Sequence, residues 1–90
     1  MGANGCLLCV NTFLASYTNA LENLEGRPLV NAIMGFQSLL EDCVEQAGPC
    51  NQCVGNFLDQ LTDALALPGV GNILPAVAAA VDRVEACLGL

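Results

Sequence analysis

Six cysteines fall into two identical triplets. Cys6, Cys9 and Cys43 recur as Cys50, Cys53 and Cys87, each displaced by 44 positions. Thiols at this spacing can do one of two things: oxidise in pairs, or donate thiolates to a metal. The two C-x-x-C openings, Cys6/Cys9 and Cys50/Cys53, have the spacing of a four-thiolate zinc site. Zinc would leave Cys43 and Cys87 unexplained, although they repeat as faithfully as the others. Both openings also sit on apolar helical stripes, and an acidic chain would gain four more negative charges. Disulfides are therefore expected, and no metal or other cofactor. A redox C-x-x-C needs a βαβ setting that is absent here.

The repeat extends beyond sulfur. Val10, Phe13, Leu14, Thr18, Ala20, Leu21, Ala32 and Glu41 reappear at the same offset as Val54, Phe57, Leu58, Thr62, Ala64, Leu65, Ala76 and Glu85, with no gap. A repeat that preserves both sulfur and apolar spacing marks a copied structural unit. One domain, residues 1–90, is expected, made of repeats at about 5–46 and 49–90.

The elements that hold the cysteines are helical. Cys6, Cys9, Val10, Phe13, Tyr17, Ala20, Leu21 and Leu24 step by threes and fours, which places them on one stripe. Leu29, Ala32, Ile33, Phe36, Leu39, Leu40 and Cys43 form a second stripe. Val54, Phe57, Leu61, Ala64 and Leu65 follow Cys50 and Cys53 on a third. Ile73, Ala76, Val77, Ala80, Val84 and Cys87 form a fourth. The breaks are Gly26-Arg27-Pro28, Gly48-Pro49 and Pro68-Gly69-Val70-Gly71. Pro28 suits a first-turn position, and Asn72 reads as an N-cap. Pro75 then falls in the first turn, where its missing N–H does little harm. The pattern predicts helices near 5–24, 28–46, 49–67 and 73–88. They would form an all-α protein of two helical hairpins related by a pseudo-two-fold axis.

In a helical hairpin the start of the first helix lies beside the end of the second. Cys9 and Cys43 then reach the Cα separation of about 4.4–6.8 Å that a disulfide requires. The repeat pairs Cys53 with Cys87, and Cys6 with Cys50 across the axis. The rival exchanges roles within each C-x-x-C: Cys6–Cys43, Cys50–Cys87 and Cys9–Cys53. Three bridges in so short a chain imply an oxidising compartment, so a secreted, extracellular protein is expected. The opening Met1-Gly2-Ala3-Asn4 has neither a basic nor an apolar leader and reads as a mature sequence.

Charge excludes several function classes. Arg27 and Arg83 are the only basic residues against nine acids, and the net charge is −7. Nucleic acid is not an expected partner, since its binding rests on neutralising phosphates. No run reaches the roughly 18 apolar residues of a membrane span. With no His and no Lys, neither a Ser–His or Cys–His pair nor a Schiff base is possible, so an enzyme is not expected. Yet 54% of residues are hydrophobic and only 12% charged, against an ordinary charged share of roughly a quarter. Apolar surface should remain after folding. The candidates are Leu7, Leu14, Leu58, Leu67, Val70 and Leu74, with a patch expected near the third and fourth helices. The acids Glu41, Asp42, Glu45, Asp82 and Glu85 cluster near helix C-termini. Carboxylates titrate near pH 4, so these are candidates for sensing acid, with association rising as pH falls from about 5 to 4.

Cys6-Leu-Leu-Cys9-Val-Asn-Thr-Phe13-Leu14 resembles the opening of a saposin-like protein, and Cys50-Asn-Gln-Cys53-Val-Gly-Asn-Phe57-Leu58 resembles it again. That resemblance implies a small, secreted, all-helical protein with three disulfides that binds lipid or a small apolar ligand. The chain departs from the family near its C-terminus, where Cys87 stands without a second cysteine. The bias towards Ala, Gly, Asn, Leu and Val, without Lys, His or Trp, is similar to spidroin-type silk proteins. This likeness implies a structural module that self-associates, or binds other extracellular proteins, through apolar helix faces.

Overall fold

The computed structural model describes residues 2–47 and 52–90. It contains four helices: α1 (Gly2–Asn23), α2 (Gly26–Ala47), α3 (Gln52–Leu65) and α4 (Val70–Leu88). No strand occurs among the described residues, so the all-α reading holds. A 22-residue helix runs about 33 Å and is about 10 Å wide with its side chains. The molecule measures 38 × 21 × 20 Å. It is thus one helix long and two helices wide in each cross direction. α1 packs chiefly on α2, and α3 on α4. α2 also touches both α3 and α4.

The breaks differ in detail from the expectation. Only Leu24 and Glu25 separate α1 from α2. Gly26 takes φ +66° there, a left-handed conformation that a Cβ would oppose. Pro28 lies in the first turn of α2, as its chemistry favours. Asn72 is not the N-cap of α4. The helix begins earlier, at Val70, and Gly69 occupies the cap with no side-chain hydrogen bond. The Gly69 carbonyl accepts from the Asn72 and Ile73 N–H groups. The Asn72 amide instead reaches back and donates to the Pro68 carbonyl at 2.7 Å. The early start also moves Pro75 to the sixth helical residue, beyond the first turn. There it cannot donate to the Gly71 carbonyl, and one helical bond is lost. α4 closes on Gly89, at φ +75°, with its N–H on Ala86 and the Leu90 N–H on Glu85. That pair of bonds satisfies carbonyls the helix end would otherwise leave open. The expected Gly48-Pro49 break lies outside the described residues.

The core follows the stripes for most of their length. Val10, Phe13, Ile33, Leu40, Val54, Phe57, Leu61, Ile73, Val77 and Val84 are all buried, and no described polar side chain is. Leu21, Leu24 and Leu39, expected on the stripes, are exposed. Val30 and Val81, expected on none, are buried. α2 contacts three helices and so covers a wider arc than one stripe, which takes in Val30 beside Leu29. The Phe13 ring sits at the centre of an aromatic group. It meets Phe57 edge-on at 5.3 Å and Phe36 edge-on at 6.4 Å, with Tyr17 at 6.2 Å. Between the hairpins, the Gln37 amide donates to the Thr62 hydroxyl at 2.9 Å.

Candidate functional site

Two disulfides close the open ends of the hairpins. Cys9–Cys43 and Cys53–Cys87 each span 34 residues with Cα atoms 5.8 Å apart. These pairings exclude the rival pattern. The expected Cys6–Cys50 bridge lies outside the described residues because Cys50 does; no described cysteine is a free thiol. Cys9 is buried and Cys53 half-buried, while Cys43 and Cys87 lie at the surface.

Beside each bridge runs a groove between the two helices of its hairpin. The first is lined by Thr12, Ser16, Phe36, Leu39 and Leu40 next to Cys9–Cys43, and holds about 50 Å³. The second is lined by Asn56, Gln60, Arg83 and Val84 next to Cys53–Cys87, and holds about 200 Å³. It continues past Gln60 and Arg83 into a wider stretch of about 290 Å³ over Ala64, Ala76 and Ala79. Every residue that lines the second groove beside its bridge matches one lining the first at the 44-residue offset; Phe13 and Phe36 line the first groove alone. Phe36 lines the first groove, whereas the matching Ala80 is buried and lines neither stretch of the second.

The rims have parted chemically. Leu8 lies one helical turn before Thr12, and the Thr12 hydroxyl donates to its carbonyl at 2.9 Å. Thr12, Ser16 and Leu39 edge the first groove, and Leu8 lies one turn beyond it on α1. Their counterparts are Asn56, Gln60, Arg83 and Gln52. Leu39 is 67% exposed and Leu8 65%. Arg83 lies at the surface, its guanidinium donating to the side-chain amide oxygen of Gln60 at 3.5 Å. Among the described residues, five of the seven exposed large hydrophobic side chains belong to the first hairpin: Leu8, Leu21, Leu24, Met34 and Leu39. Leu67 and Leu90 belong to the second.

The sequence candidates fall elsewhere. Leu14, Leu58, Val70 and Leu74 are half-buried against the core, and Leu7 is half-buried. Among the six, Leu67 alone is exposed. Glu41, Asp42, Glu45 and Asp82 are exposed, and Glu85 is half-buried. The missed residues, Leu39 and Met34, could be found by listing where the two repeats differ rather than where they agree.

Tyr17 is the one tyrosine. Burial pushes its hydroxyl above the ordinary value near 10, and the carboxylates of Asp82 and Glu85 on α4 add to the shift. A group whose pKa is raised on folding contributes stability that is complete below its unfolded value. That contribution disappears as pH rises through the folded value. A titration followed by near-ultraviolet absorbance is expected to give a tyrosinate midpoint above 10, with the melting temperature falling only in that range. A midpoint at or below 10 would remove the α1–α4 environment described here.

These features define a class: an all-α protein of two disulfide-closed helical hairpins, with no helix among the described residues long and apolar enough to cross a membrane. No protein-family model matches the chain, and no curated protein or solved structure is significantly similar to it.

Proposed function

We propose that the chain is a secreted, non-enzymatic assembly module, a unit of an extracellular material that associates through apolar helix faces. In this reading a two-helix unit was copied, and the copies face one another across a pseudo-two-fold axis. The Phe13–Phe57 contact supports the axis, since these residues are equivalent by the repeat and meet each other. The single observation that carries the function is the divergence of the groove rims. The matching core positions, buried in both repeats, are apolar in both. Leu8, Thr12, Ser16 and Leu39 lie on one surface, and Gln52, Asn56, Gln60 and Arg83 on the other. An exposed leucine alone is ordinary. Exposed leucines at a groove edge (Leu39) and one turn beyond it (Leu8), replaced by guanidinium and amide at the matching positions of the same chain, mark a surface with a partner.

Protein is favoured over lipid as that partner. A lipid between the hairpins, as a saposin-like likeness implies, would occupy the place where the Phe13 and Phe57 rings meet. Sedimentation equilibrium of the oxidised protein over a wide concentration range tests the proposal. A mass that rises with concentration is expected, and Leu39→Glu should abolish the rise while leaving the helical circular dichroism intact. A monomer at every concentration, or release of bound lipid on solvent extraction, would replace self-association with another use of the surface.

A further inference from the structure

We infer that the contact between copies is head-to-tail: the α1/α2 face of one molecule seats on the α3/α4 face of the next. This rests on the self-association proposed above and names its geometry. Two related faces can meet in a self-complementary way, residue i on j and j on i. Duplication supplies such a pair of related faces within one chain.

The differences between the faces are reciprocal. The first carries Leu39 and, one turn on, Asp42; the second carries Arg83 and Ala86 at the matching positions. All four are exposed. When position 39 of one face meets the position equivalent to 42 on the other, Leu39 rests on Ala86 and Asp42 meets Arg83. An apolar side chain finds a small apolar one, and the acid finds the only cation of the second hairpin. Two copies of the first face would instead place Asp42 beside Leu39 twice over, burying carboxylates without a counter-ion. Two copies of the second face would leave Arg83 unmatched.

Shape agrees with charge. The first groove is nearly filled, at about 50 Å³, with Leu39 standing out from its edge. The second is hollow along its length and floored by Ala64, Ala76 and Ala79. Asp63 and Gln60 share its rim with Arg83, so the acceptor side is polar at its edge and apolar in its floor. A head-to-tail contact that does not close into a ring builds open filaments, which suits a unit of an extracellular material.

Charge exchange tests the geometry. Asp42→Arg sets two cations face to face, and Arg83→Asp two acids. Each variant alone is expected to associate roughly tenfold more weakly than the parent. An equimolar mixture restores association, because every contact between unlike variants again joins opposite charges; the double variant restores it alone. Circular dichroism and thermal unfolding confirm that each variant is folded. Association unchanged in Arg83→Asp, or a mixture no larger than its components, overturns the head-to-tail contact while self-association stands. A parent protein that stays monomeric at every concentration overturns both.

Discussion

Replacing Cys9 and Cys43 together by Ala is expected to lower stability by roughly 3–4 kcal/mol, and replacing Cys53 and Cys87 by nearly the same amount. The expectation follows from chain entropy. A bridge removes loop freedom from the unfolded chain in proportion to the logarithm of the loop it closes. Both bridges span 34 residues, so their entropic contributions match. Their positions match as well: each joins the open end of a hairpin whose other end is held by a short turn. Burial separates them slightly. Cys9 is buried where Cys53 is half-buried, so the first replacement also leaves a small void and should cost somewhat more. A domain of this size holds about 5–15 kcal/mol in all. Loss of both bridges therefore brings the chain to the edge of folding. Urea unfolding of the two double variants checks this. A loss below about 1 kcal/mol in both would show that the reduced chain is already constrained where the bridges act.

Much of this architecture could be read from the spacing of residues. The steps of three and four placed four helices. The geometry of a hairpin then allowed Cys9 to meet Cys43 and Cys53 to meet Cys87, or Cys6 and Cys50 to take their places, and the structure selects the first. The stripes misplaced Leu39, Val30 and Val81 because periodicity names a face without saying how wide an arc its neighbours cover. Leu39 and Leu40 both satisfy a three-four pattern, yet only Leu40 points into the bundle. The start of α4 was misread for a related reason. Asn72 has the chemistry of a cap, but the chain was already helical from Val70, and a glycine with a positive φ opened the helix instead. The surface proposed for assembly lies where the two repeats differ, at positions 8 and 52, 12 and 56, 39 and 83. Counting apolar residues off the stripes pointed to Leu14 and Leu58 instead, and both are half-buried against the core.

Phe57→Ala is expected to be the costliest single substitution, at about 3–5 kcal/mol. Phe57 is 1% exposed, the largest of the fully buried side chains. Its ring meets Phe13 edge-on across the hairpins, a geometry worth about 0.5–1.5 kcal/mol beyond the area it buries. Phe36→Ala should cost much less. Phe36 is half-buried, and the second hairpin already folds with Ala80 in the equivalent place. That substitution should mainly widen the first groove towards the volume of the second. Because Phe57→Ala could leave too little stability to measure, Phe→Leu changes at positions 13 and 57 give the sharper test. A double-mutant cycle isolates the coupling between the two rings. A coupling near 1 kcal/mol is expected; additive losses would show that the rings stabilise their own hairpins and not the junction. The junction matters for the proposed assembly, because the two proposed docking faces belong to different hairpins. Only if Phe13 and Phe57 fix those hairpins to each other does each added copy present its acceptor face at a constant angle to the last.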